Sequence, residues 1–285
     1  MCFNFEYWLF WLYLYHIYKY QNKKDSIVMF KDQVEKLWEQ GKNENSSELP
    51  RLFFDTINIR LRERLSESEF IMNFKDYGAG TIHSSLEGRI LKNTEDFQIE
   101  EVSIADLSRR ISVKGAFARF LFLLVKELKP KKALELGAGF GISGALILSA
   151  LRAGNTYGHL LTFEGCPYLA NEAEENFSLF SKGSFDIVEG KFLDTLGSTL
   201  QVHDKIDFVF IDGHNNPEMR CQYIETILPF LNDGAIVLMR AIKWKKPEKG
   251  IDMELSWIKI QEMKEFSTLL DEKNFGVLVY NKNSS

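Results

Sequence analysis

Three cysteines in 285 residues, Cys2, Cys166 and Cys221, are too few and too scattered for a disulfide framework or a metal-ligand cluster. A reducing compartment is therefore the expected setting, with the cytoplasm as default. Basic residues do not outnumber acidic ones: Lys+Arg 35 against Asp+Glu 40 leaves a formal charge of −5. A chain of that sign has no overall basic field to draw in nucleic acid, which excludes that class of partner. No uncharged run reaches the ~20 residues that a membrane-spanning helix needs. No basic segment followed by an apolar core and a small-residue cleavage site marks a signal peptide. Internal repeats and low-complexity tracts are missing too. What is left is ordinary globular composition, 45% hydrophobic and 26% charged, at a length suited to one large domain with a sizeable extension.

Aromatic residues are the opposite case. Residues 1–20 crowd Phe3, Phe5, Tyr7, Trp8, Phe10, Trp11 and four further tyrosines into one segment, interrupted by Glu6 and His16. Three readings stand side by side. The segment is an interfacial helix with Lys19, Lys23 and Lys24 at lipid headgroups, which would give peripheral membrane contact. Or it packs on the domain or a partner. Or it is an upstream extension ahead of a start at Met29. The expected division is this leader (1–28), a helical N-terminal region (29–115) and an α/β domain (116–285), with the oligomeric state left open.

Within the second part, Phe30, Val34 and Leu37 recur at helical spacing, and the polar stretch 41–47 breaks the pattern. A second helical piece covers 52–65, its charges read as a solvated face. Residues 75–80 lead into a polar loop that runs to about 96. Two helices follow, over 103–110 and 115–128, the latter with the apolar row Phe117, Leu121, Leu124 and Val125. Lys129-Pro130 ends it.

The stretch 133–143, Ala-Leu-Glu-Leu-Gly-Ala-Gly-Phe-Gly-Ile-Ser, organises the rest. It reads as an apolar strand, a tight turn and the start of a helix. Glycines at 137, 139 and 141 allow φ > 0 and let a ligand approach where a Cβ would intrude. The helix beyond presents unpaired N–H groups and a positive dipole end. A dinucleotide fingerprint, G-x-G-x-x-G, would need glycine where Ile142 stands. The order seen is E-x-G-x-G-x-G, from Glu135 to Gly141.

That order resembles the first motif of class I S-adenosylmethionine (SAM) methyltransferases, and the likeness runs from about residue 75 to 280. It implies SAM as cofactor, with Glu135, Gly137, Ala138, Gly139 and Gly141 around it; an acidic strand end suits a sulfonium ligand. The fold implied is α/β: a Rossmann-like, doubly wound, mostly parallel seven-stranded sheet with a C-terminal antiparallel strand pair, preceded by the helical N-terminal region.

Downstream residues fit this frame. The strand over 157–163 ends in Glu164, and a carboxylate there can accept both hydroxyls of a bound ribose. A crossover helix over 170–180 leads to the strand 184–189, which is followed by Gly190, Lys191 and Phe192, placed beside adenine by the resemblance. Residues 205–211 form an apolar run suited to the centre of a parallel sheet, ending in Asp212-Gly213-His214. A helix over 219–231, a turn at 232–234 and a strand over 235–239 lead to Arg240. A helix over 251–266 and a strand pair, 267–270 with 276–280, close the chain.

Phe210-Ile211-Asp212-Gly213-His214 resembles the F-I-D-G-x-H pattern of the O-methyltransferase-like branch, with the histidine one position early. The Asp/Asn-Pro-Pro-aromatic box of amino-methyltransferases does not occur here. In metal-dependent members an Asp-Asp or Asp-Asn pair after the fifth strand joins the aspartate to hold a divalent cation. Arg240-Ala241 stands in that place, so no metal site is expected. The functional expectation is methyl transfer to a small-molecule acceptor, at oxygen and without a metal, with Asp212, His214 and Arg240 as the catalytic candidates. The alternative is a non-catalytic SAM-binding protein that uses the fold for interaction or regulation.

Overall fold

Apolar residues on both faces of successive strands dictate a buried parallel sheet, and that is what forms. The computed structural model describes residues 23–43, 61–77, 89–94, 97–154, 156–180 and 183–282. The aromatic leader, the N-terminal part of the 52–65 piece and most of the polar loop after Tyr77 lie outside these residues. No helix among the described residues is long and apolar enough to cross a membrane.

Five strands run parallel: β4 (Lys132–Leu136), β5 (His159–Glu164), β6 (Phe185–Glu189), β7 (Ile206–Ile211) and β8 (Leu231–Arg240). The last two, β11 (Phe266–Asp271) and β12 (Phe275–Tyr280), pair antiparallel, and β12 docks antiparallel on β8. The order across the sheet is β11-β12-β8-β7-β4-β5-β6. Strand order reverses at β4, between β5 and β7, so a crevice opens there at the carboxyl ends. Alternate residues feed two cores. Phe208 and Phe210 join the side of α4 (Gly115–Leu128) and α5 (Ile142–Ala153). Val209 and Ile211 join the side of α7 (Phe192–Gln201), α8 (Pro217–Ile227) and α9 (Glu254–Gln261). Truncating a fully buried phenylalanine such as Phe210 costs about 3–5 kcal/mol.

The N-terminal helix α1 (Lys23–Lys42) buries Val34 and Leu37, and its Trp38 packs edge-on against Phe120 and Phe275. After the short helix α2 (Arg62–Ser66) the structure departs from the sequence reading. A three-stranded antiparallel sheet forms from β1 (Ile71–Asp76), β3 (Gln98–Ser103) and β2 (Arg89–Asn93), and of these β2 stands where a polar loop was expected. Its strands are short and charged, so neither alternation nor β-branched enrichment revealed them. Helix α3 (Ile104–Ile111) follows, with the Ser103 hydroxyl accepting from Asp106 N–H at 3.4 Å.

Four boundaries also shift. Helix α6 (Pro167–Ser178) begins at Pro167, a residue well suited to a first helical turn. Helix α8 is capped by Asn216, which accepts from Met219 N–H at 3.1 Å, and a 3₁₀ turn ends it at Phe230. Residues 232–234 belong to β8 rather than to a turn. A two-stranded hairpin, β9 (Lys245–Lys246) with β10 (Ile251–Asp252), precedes α9, which is shorter than expected.

Candidate functional site

The turn between β4 and α5 is held from both sides. Gly137 and Ala138 donate N–H groups to Phe163 O, at 2.9 and 3.2 Å, while Asp212 and Gly213 donate to Leu136 O, at 3.1 and 2.9 Å. Gly137 adopts φ 98°, and a Cβ there would lie 2.7 Å from the Gly213 backbone. Only glycine allows the loops after β4 and β7 to close on each other in this way. The turn thus forms one wall of a cavity of about 940 Å³ at the carboxyl ends of the parallel strands.

Most of the sequence-expected residues meet on that wall: Gly137, Ala138, Gly139, Glu164, Gly190, Lys191, Phe192, Asp212, His214 and Arg240 all line it. Two do not. Glu135 is fully buried beneath the turn, and its carboxylate accepts from the Thr162 hydroxyl at 2.7 Å. Burial raises its pKa to about 7, against hydrogen bonds from Ser143 and Thr162 that pull it down. It braces β4, β5 and the start of α5 rather than facing a ligand. Gly141 caps α5 at φ 77°, pressed against Ala173 and Phe177 of α6, and serves helix packing.

Glu164 closes β5 with both carboxylate oxygens engaged. Oε2 accepts from Gly139 N–H at 2.9 Å and Oε1 from Cys166 N–H at 2.9 Å. A carboxylate oxygen has capacity for more than one donor, so each can still receive a ligand hydroxyl. Burial pushes this carboxyl upward, and the backbone donors at Cys166, Gly139 and Gly165 oppose the shift. Phe192 opens α7 with its ring against Gly213 and edge-on to Tyr223. Sequence reading placed Phe192 in a loop, because Thr195, Gly197, Ser198 and Thr199 masked the helical row Phe192, Leu196, Leu200.

On the far side, Asp212 leaves β7 and Arg240 ends β8. These are neighbouring parallel strands with Ile211 opposite Met239. The Arg240 Nη1 donates to Asp212 Oδ2 at 2.6 Å, and its guanidinium lies 5.1 Å from the Phe117 ring centroid. Burial raises the Asp212 pKa, with Arg240 and then Arg220 working against it. His214 sits at φ 56°, its Nδ1 hydrogen-bonded to the Tyr223 hydroxyl. Burial, then the charge of Arg220, lowers its pKa to about 4, so the imidazole is neutral at pH 7.

Two supports of this side escaped the sequence reading. Arg220 is buried, donates to Arg240 O at 2.9 Å and to Asn215 Oδ1 at 3.4 Å, and has its own pKa lowered to about 10 by burial. Tyr223 lies one turn further along α8, and the i, i+3 spacing of the pair on a helix behind the His214 loop was the available signal. Among the described residues, no group of three histidines, cysteines or carboxylates is arranged to hold a metal ion.

A doubly wound sheet with a glycine turn at its switch point, a carboxylate ending the neighbouring strand and an antiparallel closing pair is the architecture of a Rossmann-like methyltransferase fold of class I. Residues 134–240, from within β4 to the end of β8, match the family model described as a methyltransferase domain. Over that stretch the chain is similar to the family, and its fold is O-methyltransferase-like. No curated protein matches the chain at a significant level. Among solved structures, the SAH-bound methyltransferase PaMTH1 of Podospora anserina is similar at 18% identity and TM-score 0.52, covering 62% of this chain and 82% of that one. The O-methyltransferase TomG of Streptomyces achromogenes, involved in tomaymycin synthesis and solved with SAM, is similar at 19% identity and TM-score 0.51, covering 60% and 82%. A Bacillus cereus O-methyltransferase in complex with SAH is similar at 20% identity and TM-score 0.51, covering 60% and 83%.

Proposed function

We propose that this chain is a SAM-dependent methyltransferase that methylates a hydroxyl oxygen of a small molecule without a divalent metal. The observation that carries the reading is the Glu164 carboxylate, fixed on the cavity wall by the N–H of Gly139. It ties the ribose acceptor to the glycine turn in one hydrogen bond, as an adenosyl ligand lying across both requires. Neighbours of this fold are described with SAM or SAH bound, and the cofactor is S-adenosylmethionine. Bound here, it supplies an activated methyl group on a sulfonium.

The chain's own residues then have distinct tasks. Glu164 accepts the ribose hydroxyls, and Phe192 borders the base. Between the two candidate bases, Asp212 is committed to Arg240, whereas His214 is neutral on the cavity wall. His214 is therefore the base for the acceptor hydroxyl. That role places the imidazole proton on Nδ1, donated to Tyr223 Oη, and leaves the Nε2 lone pair to receive the acceptor's proton. Arg240 fills the position beside Asp212 that a cation would otherwise take. Orientation supplies most of the rate in such an in-line transfer, so a firm cavity wall matters as much as the base.

Thermal shift with SAM, SAH and NAD in parallel is the first test, with stabilisation by the two adenosyl ligands and not by NAD expected. A screen of hydroxyl-bearing metabolites for methyl transfer, with and without EDTA, is the second. The Arg240–Asp212 pair also favours a second reading, an adenosyl-binding protein without turnover. Stabilisation by SAH with no product from any acceptor would establish that one instead.

A further inference from the structure

The small sheet β1-β3-β2 is absent from the logic of the glycine turn and the parallel strands, yet it ends at the cavity. Lys75, Asp76 and Tyr77 all line the same wall as Glu164. We infer that Tyr77 forms the outer face of the purine subsite, stacking on the base of the bound nucleoside, so that the accessory sheet and the main sheet build one cofactor site between them. This rests on the proposed adenosyl ligand.

Four neighbours fix the ring where a base is expected. A Cβ on Gly165 would lie 2.9 Å from Tyr77 Cδ2 and 3.2 Å from Cε2, so the ring covers the residue that follows the ribose carboxylate. Lys191, which precedes Phe192, holds its Nζ 5.4 Å from the Tyr77 ring centroid. The ring thus spans the loop after β5 and the loop after β6. Lys75 Nζ also lies 4.8 Å from the centroid, and Phe97 meets the ring edge-on at 6.1 Å. Asp76, buried beside it, is near enough to Glu164 for its charge to be felt there.

The accessory segment is also tied to the glycine turn by a chain of hydrogen bonds. Arg64 donates to Glu172 Oε2 at 3.0 Å and to Asn176 Oδ1 at 2.9 Å, both on α6. Asn176 Nδ2 in turn donates to Phe140 O at 2.8 Å, inside the turn. The helix that leads into β1 is thereby registered to the same loop that would receive the ligand. An aromatic face of this kind stacks on a purine whatever its edge pattern, which gives affinity for the nucleoside end rather than for the amino-acid end.

Calorimetry with SAH, on the full chain, tests the assignment. Tyr77→Ala is expected to weaken SAH binding about 5- to 150-fold, and Tyr77→Phe to stay within about threefold of wild type. Gly165→Ala places a methyl against the ring and is expected to weaken binding in the wild-type background. The same change should add no further loss on top of Tyr77→Ala, because the ring it displaces is already gone. If Tyr77→Ala proves unfolded by circular dichroism, Gly165→Ala carries the test alone. A wild-type chain that fails to bind SAH overturns the proposed function and this inference together. Wild-type binding that is unchanged in folded Tyr77→Ala, or losses that add fully in the double variant, overturn this inference and leave the proposed function standing.

Discussion

Arg240 Nη1 lies 2.6 Å from Asp212 Oδ2 across the adjoining ends of β8 and β7. The pair settles how a carboxylate at the centre of the crevice is balanced when no ligand pair for a cation follows β8. A guanidinium bonded to that carboxylate takes up a lone pair that a hard cation would need. Turnover is therefore expected to survive EDTA and to gain nothing from added magnesium or manganese. Chelator-sensitive activity restored by either ion would sink the metal-free reading. Arg240→Ala should lower the melting temperature, at a cost of about 1–3 kcal/mol, because Asp212 loses its partner while still mostly buried.

The converse change adds carboxylates. Ala241 adopts φ 53°, a conformation that aspartate tolerates better than most residues. Arg240→Asp with Ala241→Asp should therefore fold and place three carboxylates at neighbouring strand ends. Manganese binding, followed by electron paramagnetic resonance, is expected in the double variant and not in the wild type. Failure to bind would show that the wild-type site lacks more than those two ligands.

Glu164 is the second point of attack. Its carboxylate receives two backbone donors and, in the proposed complex, the ribose hydroxyls. Hydrogen bonds to a charged acceptor contribute about 1.5–3 kcal/mol at most, so Glu164→Ala should weaken SAH binding by about ten- to a hundredfold. Gly139→Val should abolish it, since position 139 has φ 54° and Ile111 lies 3.2 Å from where a Cβ would stand. Unchanged affinity of Glu164→Ala by calorimetry would defeat the ribose assignment.

The pattern of success in the sequence reading has a physical basis. Positions in the parallel sheet were legible because burial on both faces forces long apolar runs, and because the crevice lies at fixed strand ends. Glu164, Asp212 and Arg240 follow such runs, and all three line the cavity. Glu135 was placed at the ligand because its motif position is acidic, whereas the fold buries it below the turn against the Thr162 hydroxyl. The small sheet left no trace because its strands, such as Gln98-Ile99-Glu100-Glu101-Val102-Ser103, carry neither a clean alternation nor a continuous apolar run. Arg220 escaped for another reason: an arginine on a helix usually marks the solvated face, and only packing reveals that this one is buried.

The leader offers a simple truncation test. Helix α1 buries Val34 and Leu37, with Ile27 and Phe30 packed against the same core. A chain beginning at Met29 keeps all of these except Ile27, so it is expected to stay folded and to bind SAH as the full chain does. Loss of soluble, ligand-competent protein would assign residues 1–28 to the core. Sedimentation with anionic liposomes, with and without the leader, separates membrane contact from packing.

The last prediction concerns pH, where a buried group, Glu135, and a half-buried one, His214, act in opposite directions. His214 has its pKa depressed to about 4 by burial, so it is neutral in the folded chain while the unfolded chain begins to protonate near 6.5. Its contribution to stability is full above 6.5 and is lost as pH falls from there towards 4. Glu135 has its pKa raised to about 7, so the folded chain holds a proton that the unfolded chain releases near 4.5. Its contribution is full below 4.5 and is lost as pH rises towards 7, a change of about 3 kcal/mol at most. Glu135→Gln removes that second slope without removing the Thr162 contact, so its stability relative to wild type should rise between pH 5 and 7. Urea denaturation at several pH values reads this directly, and parallel curves for the two proteins would contradict it. Catalysis reports the histidine alone. If His214 is the base, the acid limb of kcat/KM should fall near pH 4 rather than near 6.5, and His214→Asn should lose the limb together with most of the rate. An acid limb near 6.5 in the wild type would mean that His214 is solvated in the working enzyme and that another group positions the acceptor.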